Sequence, residues 1–232
     1  MRLSRLRAEL AATVRTLAAA GLWSAGASAS ARDGRTGWRV VTPRDLDPGA
    51  VRAGDMIVVS AAGERLEGLA QAAIDAIVHL RVYAAVPDAG ALVLARPPLA
   101  STLADEARHL PPVSRRLARL GGGVRCVPYA PAGSEALARL VADALSRRAA
   151  CLIAARGAMA RGPTAAAAAE AMALLERVGG AYAATVASGY LPRRLAHEEM
   201  ARAVRYGGRP LHPRGAGAAE RRPDPLSPGR GG

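Results

Sequence analysis

Three side chains that can donate or accept protons recur at every fourth position in the middle of the chain. Asp75, His79 and Tyr83 are spaced four residues apart, and residues four apart lie on one face of an α-helix. A carboxylate such as that of Asp75 can act as a general base. His79 and Tyr83 also fit a simpler interpretation, as packing residues whose polar tips are hydrogen-bonded. The spacing therefore predicts a helix that carries one candidate catalytic residue, Asp75.

Other patterns that carry chemistry are absent from the sequence. Its four histidines form neither His-x-His nor His-Glu-x-x-His, so the usual zinc spacings are missing. Two cysteines, Cys126 and Cys151, are too few for a disulfide scaffold. Both are flanked by apolar residues on predicted strands, which indicates buried, inert thiols. Ser28 and Ser30 do not belong to a Gly-x-Ser-x-Gly motif, so a serine hydrolase is not supported.

The charge and composition narrow the classes of partner. The 232 residues are 50% hydrophobic and carry a net charge of +13, and all 32 basic residues are arginine. This usage, with no lysine, is typical of a high-GC bacterial genome and weakens any functional meaning of the charge. Aromatic residues make up 3%, and no stacking motif accompanies the arginines, so nucleic acid is not the expected partner. The apolar runs are shorter than a membrane-spanning helix requires. The N-terminal segment is predicted to be an amphipathic helix and not a signal peptide, so we expect a cytoplasmic protein.

Alternating patterns along the chain predict an α/β fold. A hairpin is expected around Asp33-Gly34, and helices and strands then alternate, which predicts a three-layer α/β/α or α+β domain with a mixed sheet. Helices are predicted over 3–20, 69–85, 133–148 and 164–188, and strands over 27–32, 38–42, 55–60, 91–95, 124–127 and 151–155. Gly157 is predicted to form a turn. The domain spans residues 1–206, and the Gly-, Pro- and Arg-rich residues 207–232 are predicted to be a disordered tail.

Several segments together resemble one known family. Residues 27–32 are similar to its Gly-Asn-x-Ser-x-Arg strand, and residues 40–43 to its Val/Ile-Thr-Pro turn. Asp75, His79 and Tyr83 match its Glu-x-x-x-His-x-x-x-Tyr helix. Residues 87–93 and 127–134 match its Pro-Asp-x-x-Ala-Val-Val and Pro-Tyr-Ala-x-x-Gly-Ser/Thr segments. The order and spacing identify the chain as resembling the class II aldolase/adducin family, whose best-known members are related to fuculose-1-phosphate aldolase.

The resemblance implies both a fold and an assembly. The family fold is an α/β/α sandwich around a mixed, mostly antiparallel sheet, often assembled as a tetramer with its site between subunits. A homo-oligomer, or a complex with a paralogous partner, is therefore expected. Family aldolases bind zinc through three histidines, and the matching positions here are Leu94, Arg96 and Arg156. Leucine has no lone pair and arginine has no acceptor, so neither zinc nor another cofactor is expected.

Matching positions also indicate how a ligand would be bound. The family's phosphate-binding residues correspond to Ser28 (or Ala27 if the loop shifts by one residue), Arg44, Asp45, Ala73 and Ile74, and its catalytic glutamate corresponds to Asp75. The candidate ligand-binding residues are Ser28, Arg44, Arg96 and Arg156, and the ligand would be a small anion, because guanidinium groups suit carboxylates and phosphates.

Three arrangements of Arg96 and Arg156 remain open from the sequence. They can pair internally with Asp75, bind an external anion, or point into solvent. The leading hypothesis is a metal-free pseudoenzyme that acts as a scaffold or anion-binding module. The alternatives are an aldolase-type lyase acting on a small sugar phosphate or carbonyl compound, and a metal-independent enzyme that uses Asp75.

Overall fold

A computed structural model describes residues 1–73, 75–206 and 211. The helices are α1 (Ser4–Ala19), α2 (Ala76–Ala85), α3 (Ala100–Asp105), α4 (Glu135–Ser146), α5 (Ala165–Ala187) and α6 (His197–Tyr206). The strands are β1 (Ser28–Arg32), β2 (Arg39–Val41), β3 (Ile57–Val59), β4 (Arg65–Glu67), β5 (Ala91–Ala95), β6 (Cys126–Val127), β7 (Ala150–Ile153) and β8 (Gly157–Gly162). Two short 3-10 helices span Ala53–Asp55 and Arg115–Leu120.

The eight strands form one mixed sheet. Their order is β4-β3-β2-β1-β5-β8-β7-β6. β6 and β7 pair in parallel, and every other neighbouring pair is antiparallel. The predicted mixed, mostly antiparallel sheet is thus confirmed, as is the β1–β2 hairpin.

Helices cover both faces of the sheet and complete the three layers. Along β5, Ala91, Val93 and Ala95 face a core that includes α1, α3 and α5. The alternate residues Leu92 and Leu94 face a second core formed with α2 and α4. Such alternation is expected of a strand buried on both faces. It also places Leu94 on the face of the sheet that α2 and α4 cover. The candidate site lies at this face.

Local signals explain where the two long helices of the second half begin. The Ser134 hydroxyl accepts a hydrogen bond from the Leu137 amide (3.1 Å), and the Thr164 hydroxyl accepts one from the Ala167 amide (3.2 Å). These side chains satisfy amides that the first turn of a helix leaves unpaired. α4 and α5 therefore begin close to the predicted positions.

The structure corrects two of the predicted elements and contains a strand, β4, and a helix, α6, that were not predicted. The helix predicted over 69–85 begins at Ala76, because Ala72 forms an antiparallel bridge with Pro43 instead. Asp75 is consequently the residue just before the helix. The turn predicted at Gly157 is the start of the central strand β8.

The predicted tail lies outside the described residues except at Leu211. That side chain is 6% exposed and packs against the larger core, and its amide donates to the Arg119 carbonyl at 3.0 Å. At Leu211, therefore, the predicted tail packs against the domain. For the rest of residues 207–232, disorder stays a prediction. In the described part of the chain, no helix combines the length and apolar character that crossing a membrane requires.

Candidate functional site

Three separate segments meet at one end of the central strands. Asp75 precedes α2, Leu94 and Arg96 lie at the end of β5, and Arg156 precedes β8. Gly157 makes the close approach possible: its φ is +119°, and a Cβ there would lie 2.5 Å from the Ala95 carbonyl oxygen. A side chain at Gly157 would therefore push β8 away from β5 and displace Arg156 from the site.

Asp75 and Arg156 form an ion pair at the centre of this site. The Arg156 Nη2 atom donates to Asp75 Oδ2, and the backbone amide of Gly133 donates to Asp75 Oδ1 at 3.1 Å. Asp75 is 0% exposed, whereas the Arg156 side chain is 22% exposed. Of the three arrangements left open by the sequence, Arg156 adopts the internal pair.

Arg96 does not join this pair. Its Nη2 atom donates to both carboxylate oxygens of Asp105, at 2.9 and 2.7 Å, and Nη1 donates to the Ala155 carbonyl at 3.4 Å. Both side chains of the Arg96–Asp105 pair are nearly half exposed. Within the described residues, Asp75 therefore pairs with Arg156, whereas Arg96 pairs with Asp105 of α3.

A cavity of about 190 Å³ opens beside the ion pair. Leu94, Arg96 and Arg156 line it together with residues 25–27. A larger cavity of about 540 Å³ shares residues 25–27 and includes Arg44, whose side chain is exposed. We call the two cavities together the cleft. Arg44, Arg96 and Arg156 thus share the cleft, and their ligand-binding role remains a prediction.

The residues that line the smaller cavity do not fit a zinc ion. Zinc requires imidazole, thiolate or carboxylate donors, whereas Leu94 has no donor atom and the guanidinium groups of Arg96 and Arg156 have no free lone pair. Asp75 supplies a carboxylate at the centre, and Arg156 already occupies it. Among residues 1–73, 75–206 and 211, no three His, Cys, Asp or Glu side chains are grouped so that they could hold a metal.

Behind the cleft lies a buried chain of hydrogen bonds, which we call the polar chain. Ser28 Oγ lies 2.9 Å from His79 Nε2, Ser30 Oγ lies 2.7 Å from His79 Nδ1, and Ser30 Oγ lies 2.9 Å from the Tyr83 hydroxyl. All four residues are at most 2% exposed. His79 and Tyr83 are therefore packing residues with hydrogen-bonded tips, and Ser28 contacts His79 rather than lining the cleft.

Burial controls the protonation of the polar chain. It lowers the pKa of His79 to about 3, because it removes the water that would solvate an imidazolium. Burial also raises the pKa of the Tyr83 hydroxyl, an effect that the Ser30 hydrogen bond and two nearby arginines oppose. Both side chains are consequently neutral at physiological pH.

The two cysteines take no part in the site. Both are buried and free. Burial raises the pKa of Cys126 to about 11 and that of Cys151 to about 12. Since the thiolate is the reactive form, both thiols are unreactive at neutral pH, as their apolar flanks indicate.

Comparisons with known proteins identify a matching family model and related sequences. The model of the class II aldolase and adducin N-terminal domain matches residues 8–183. A 5-deoxy-D-ribulose 1-phosphate aldolase from Bacillus thuringiensis serovar kurstaki is 30% identical over 161 residues, which cover 69% of this chain and 76% of the relative.

Solved structures show the same fold. An L-fuculose 1-phosphate aldolase superposes with a TM-score of 0.84 at 26% identity, covering 88% of this chain and 97% of the other. The L-fuculose-1-phosphate aldolase from Thermus thermophilus superposes with a TM-score of 0.69 at 27% identity, covering 82% and 98%.

Proposed function

Because the chain belongs to the class II aldolase and adducin family, we propose that it is a metal-independent member that binds a small anion in the cleft and does not cleave sugar phosphates. The observation that carries this proposal is the ion pair between Asp75 and Arg156. By the family resemblance, Arg156 stands at the position of a metal ligand and Asp75 at that of the catalytic base, and the ion pair joins the two side chains.

The charges of the cleft favour an oxyanion as its ligand. Arg96 and Arg156 contribute two guanidinium groups to a cavity of about 190 Å³. The Arg156 Nε atom is buried without a hydrogen-bond partner among the described residues. A guanidinium group binds phosphate or carboxylate through paired N–H donors, so a phosphate or small carboxylate would satisfy Nε and face Arg96. Arg44 lines the adjoining cavity together with Asp45 and Asp47, so the positive charge is concentrated in the smaller cavity.

Phosphate is expected to stabilise the protein against heat. A ligand at 100 times its Kd adds about 2.7 kcal/mol to the free energy of unfolding, and each kcal/mol raises the melting temperature of a chain of this size by about 2–4 °C. Calorimetry in a buffer without oxyanions, with and without added phosphate, measures the shift. Arg96→Gln should reduce it strongly.

The matched control is Arg193→Gln, which breaks another exposed ion pair, that with Glu199. It removes one positive charge without touching the cleft, so the phosphate shift should persist. Equal losses in the Arg96→Gln and Arg193→Gln variants would show that phosphate acts through net charge and would contradict a site in the cleft.

The second candidate function is an aldolase. It is favoured by the 5-deoxy-D-ribulose 1-phosphate aldolase that is 30% identical over 161 residues and by a carboxylate at position 75. In this alternative, Asp75 would act as a base while a guanidinium group stabilised the developing oxyanion.

Restoring the metal ligands separates the two candidates. We expect wild-type protein to contain far less than one zinc per chain and to release no triose phosphate from 5-deoxyribulose 1-phosphate. The triple variant Leu94→His, Arg96→His and Arg156→His places imidazole donors at the three family positions and should bind about one zinc, as measured by elemental analysis. Substrate cleavage by the wild type, with or without added zinc, would overturn the noncatalytic proposal in favour of the aldolase.

The assembly and location of the protein belong to the same proposal. We expect a homo-oligomer, or a complex with a paralogous chain, in the cytoplasm. Light scattering on the purified protein measures its mass against that of a 23.8 kDa monomer. A monomeric mass would leave the paralogous complex as the remaining form of assembly.

A further inference from the structure

Three arginine side chains are almost fully buried among the described residues, and one of them lacks a counter-ion. Arg7, which is 1% exposed, pairs with Glu67 at 3.0 Å. Arg161, also 1% exposed, pairs with Asp88 at 2.9 Å. Arg39 is 7% exposed and forms no ion pair with a carboxylate of the described residues. Since a buried charge without a partner is costly, Arg39 differs from the other two in a way that needs a physical reason.

The contacts that Arg39 does make supply no negative charge. Its Nη1 atom donates to the Ser60 carbonyl at 3.3 Å, and its Nε atom has no hydrogen-bond partner in the part of the chain that the structure describes. Its guanidinium carbon lies 5.3 Å from the centre of the Tyr83 ring. An aromatic ring attracts a cation through its quadrupole but carries no net charge. The protein therefore compensates the charge of Arg39 only in part.

A second cation, Arg32, faces Arg39 directly. The two residues are partners in the antiparallel β1–β2 ladder, so their Cβ atoms lie about 4.5–5.5 Å apart on one face of the sheet, where like charges repel. The guanidinium carbon of Arg32 lies 5.5 Å from the centre of the same Tyr83 ring, and its Nη2 atom donates to the Pro87 carbonyl. Burial lowers the pKa of Arg39, Tyr83 opposes this shift and Arg32 adds to it, but a guanidinium group stays protonated at physiological pH. Two adjacent positive charges thus lie here without a carboxylate from the described residues.

An anion can reach this pair from solvent but not from the cleft. Arg32 is only partly buried, so the pair is open to water on its side. Two neighbouring guanidinium groups present paired N–H donors, which suit the oxygens of phosphate or a carboxylate. Ala27, just before β1, lines the cleft, whereas Arg32 ends the strand, and an extended strand separates the two positions by about 17 Å. A small anion in the cleft therefore leaves the charges of Arg32 and Arg39 uncompensated.

We propose that Arg32 and Arg39 form a second anion site, which binds phosphate or another small oxyanion at the end of β1 that is remote from the cleft. The anion supplies the negative charge that Glu67 and Asp88 supply to the other two buried arginines. It also accepts hydrogen bonds from side chains of β1 and β2 together. The site shares no residue with the cleft, so this inference goes beyond the proposed function and does not depend on it.

Calorimetric titration with inorganic phosphate, in a buffer without other oxyanions, tests the second site. Arg96→Gln is the background, because it weakens the cleft and leaves the second site intact, so about one phosphate per chain should still bind. Adding Arg32→Gln or Arg39→Met should weaken this remaining binding about tenfold or more, the usual effect of losing a hydrogen bond to a charged group. Arg32 is only partly buried, so Arg32→Gln gives a result even if Arg39→Met does not fold. Unchanged phosphate binding in the folded double variants would overturn the second site.

The matched control is Arg35→Gln in the same background. Arg35 is an exposed arginine between β1 and β2, so its substitution removes one positive charge from the same hairpin and leaves Arg32 and Arg39 in place. Phosphate binding should stay unchanged in this variant. Equal losses with Arg35→Gln and Arg32→Gln would show that phosphate responds to net charge and would contradict a specific site.

The cleft and the second site fail separately. Phosphate binding that Arg96→Gln alone abolishes would support the cleft and overturn the second site. Binding that Arg32→Gln alone abolishes, and that Arg96→Gln leaves unchanged, would support the second site and overturn anion binding in the cleft. A wild-type protein that binds no phosphate would overturn both.

Discussion

Asp75→Ala is expected to lower the free energy of unfolding by about 2–3 kcal/mol, a drop of about 4–12 °C in melting temperature. Removing one partner of a buried ion pair typically costs ~3–5 kcal/mol. Arg156 is 22% exposed, so water solvates part of the charge left behind and reduces the effect. The substitution also removes the acceptor of the Gly133 amide. Urea denaturation in a buffer without oxyanions measures the change.

The Arg96–Asp105 pair supplies the control for this prediction. Asp105→Ala leaves an arginine of the same cleft without its carboxylate, but both side chains are nearly half exposed. Exposed pairs contribute about 0–1 kcal/mol. Similar losses in Asp75→Ala and Asp105→Ala would contradict the central role of the buried pair. Asp75→Ala should also increase phosphate binding, because the competing internal anion is gone.

Lowering the pH from 8 to 5 is expected to remove about 2 kcal/mol of stability through His79 alone. The pKa of His79 is about 3 in the folded protein and about 6.5 in an unfolded chain. Below pH 6.5 the unfolded state therefore binds a proton that the folded state does not, and stability falls as pH falls. Measuring the free energy of unfolding in urea at several pH values between 5 and 8 gives this dependence.

His79→Gln should flatten that dependence even if it lowers stability at every pH. The comparison is between slopes, so a less stable variant still gives a result. His197→Gln, at an exposed histidine on α6, should retain the wild-type slope. Parallel curves for wild type and His79→Gln would show that burial of His79 does not set the acid sensitivity.

Local patterns predicted most elements, and the failures share a physical cause. β8 reads Gly-Ala-Met-Ala-Arg-Gly, a composition with little intrinsic preference for a strand. It is a strand because its backbone pairs with β5 on one side and with β7 on the other. Similarly, residues 69–73 were predicted to be helical but form no helix, and Ala72 pairs with Pro43 instead. In both cases long-range pairing outweighs local preference.

The part of the candidate site that could be predicted from the sequence is the part set by the residue spacing of strands and helices. Ser28 and Ser30 are two apart on a strand, and His79 and Tyr83 are four apart on a helix, so each pair shares one face. Matching these two faces would have predicted the polar chain. Asp105 could not be anticipated as the partner of Arg96, because the turn between β5 and α3 that brings them together has no signature in residue spacing.

The position of β5 has a consequence for how the chain folds. β5 pairs with β1 through residues such as Ser28 and Leu94, and with β8 through Ala91 and Gly162. Each contact closes a loop that spans a large fraction of the chain. Topologies dominated by such distant contacts fold slowly, and neither half of this chain has a complete sheet on its own. The ion pair between Asp75 and Arg156 forms across the same distance. We therefore expect the cleft to be assembled late in folding, after the strand from each half has docked on β5.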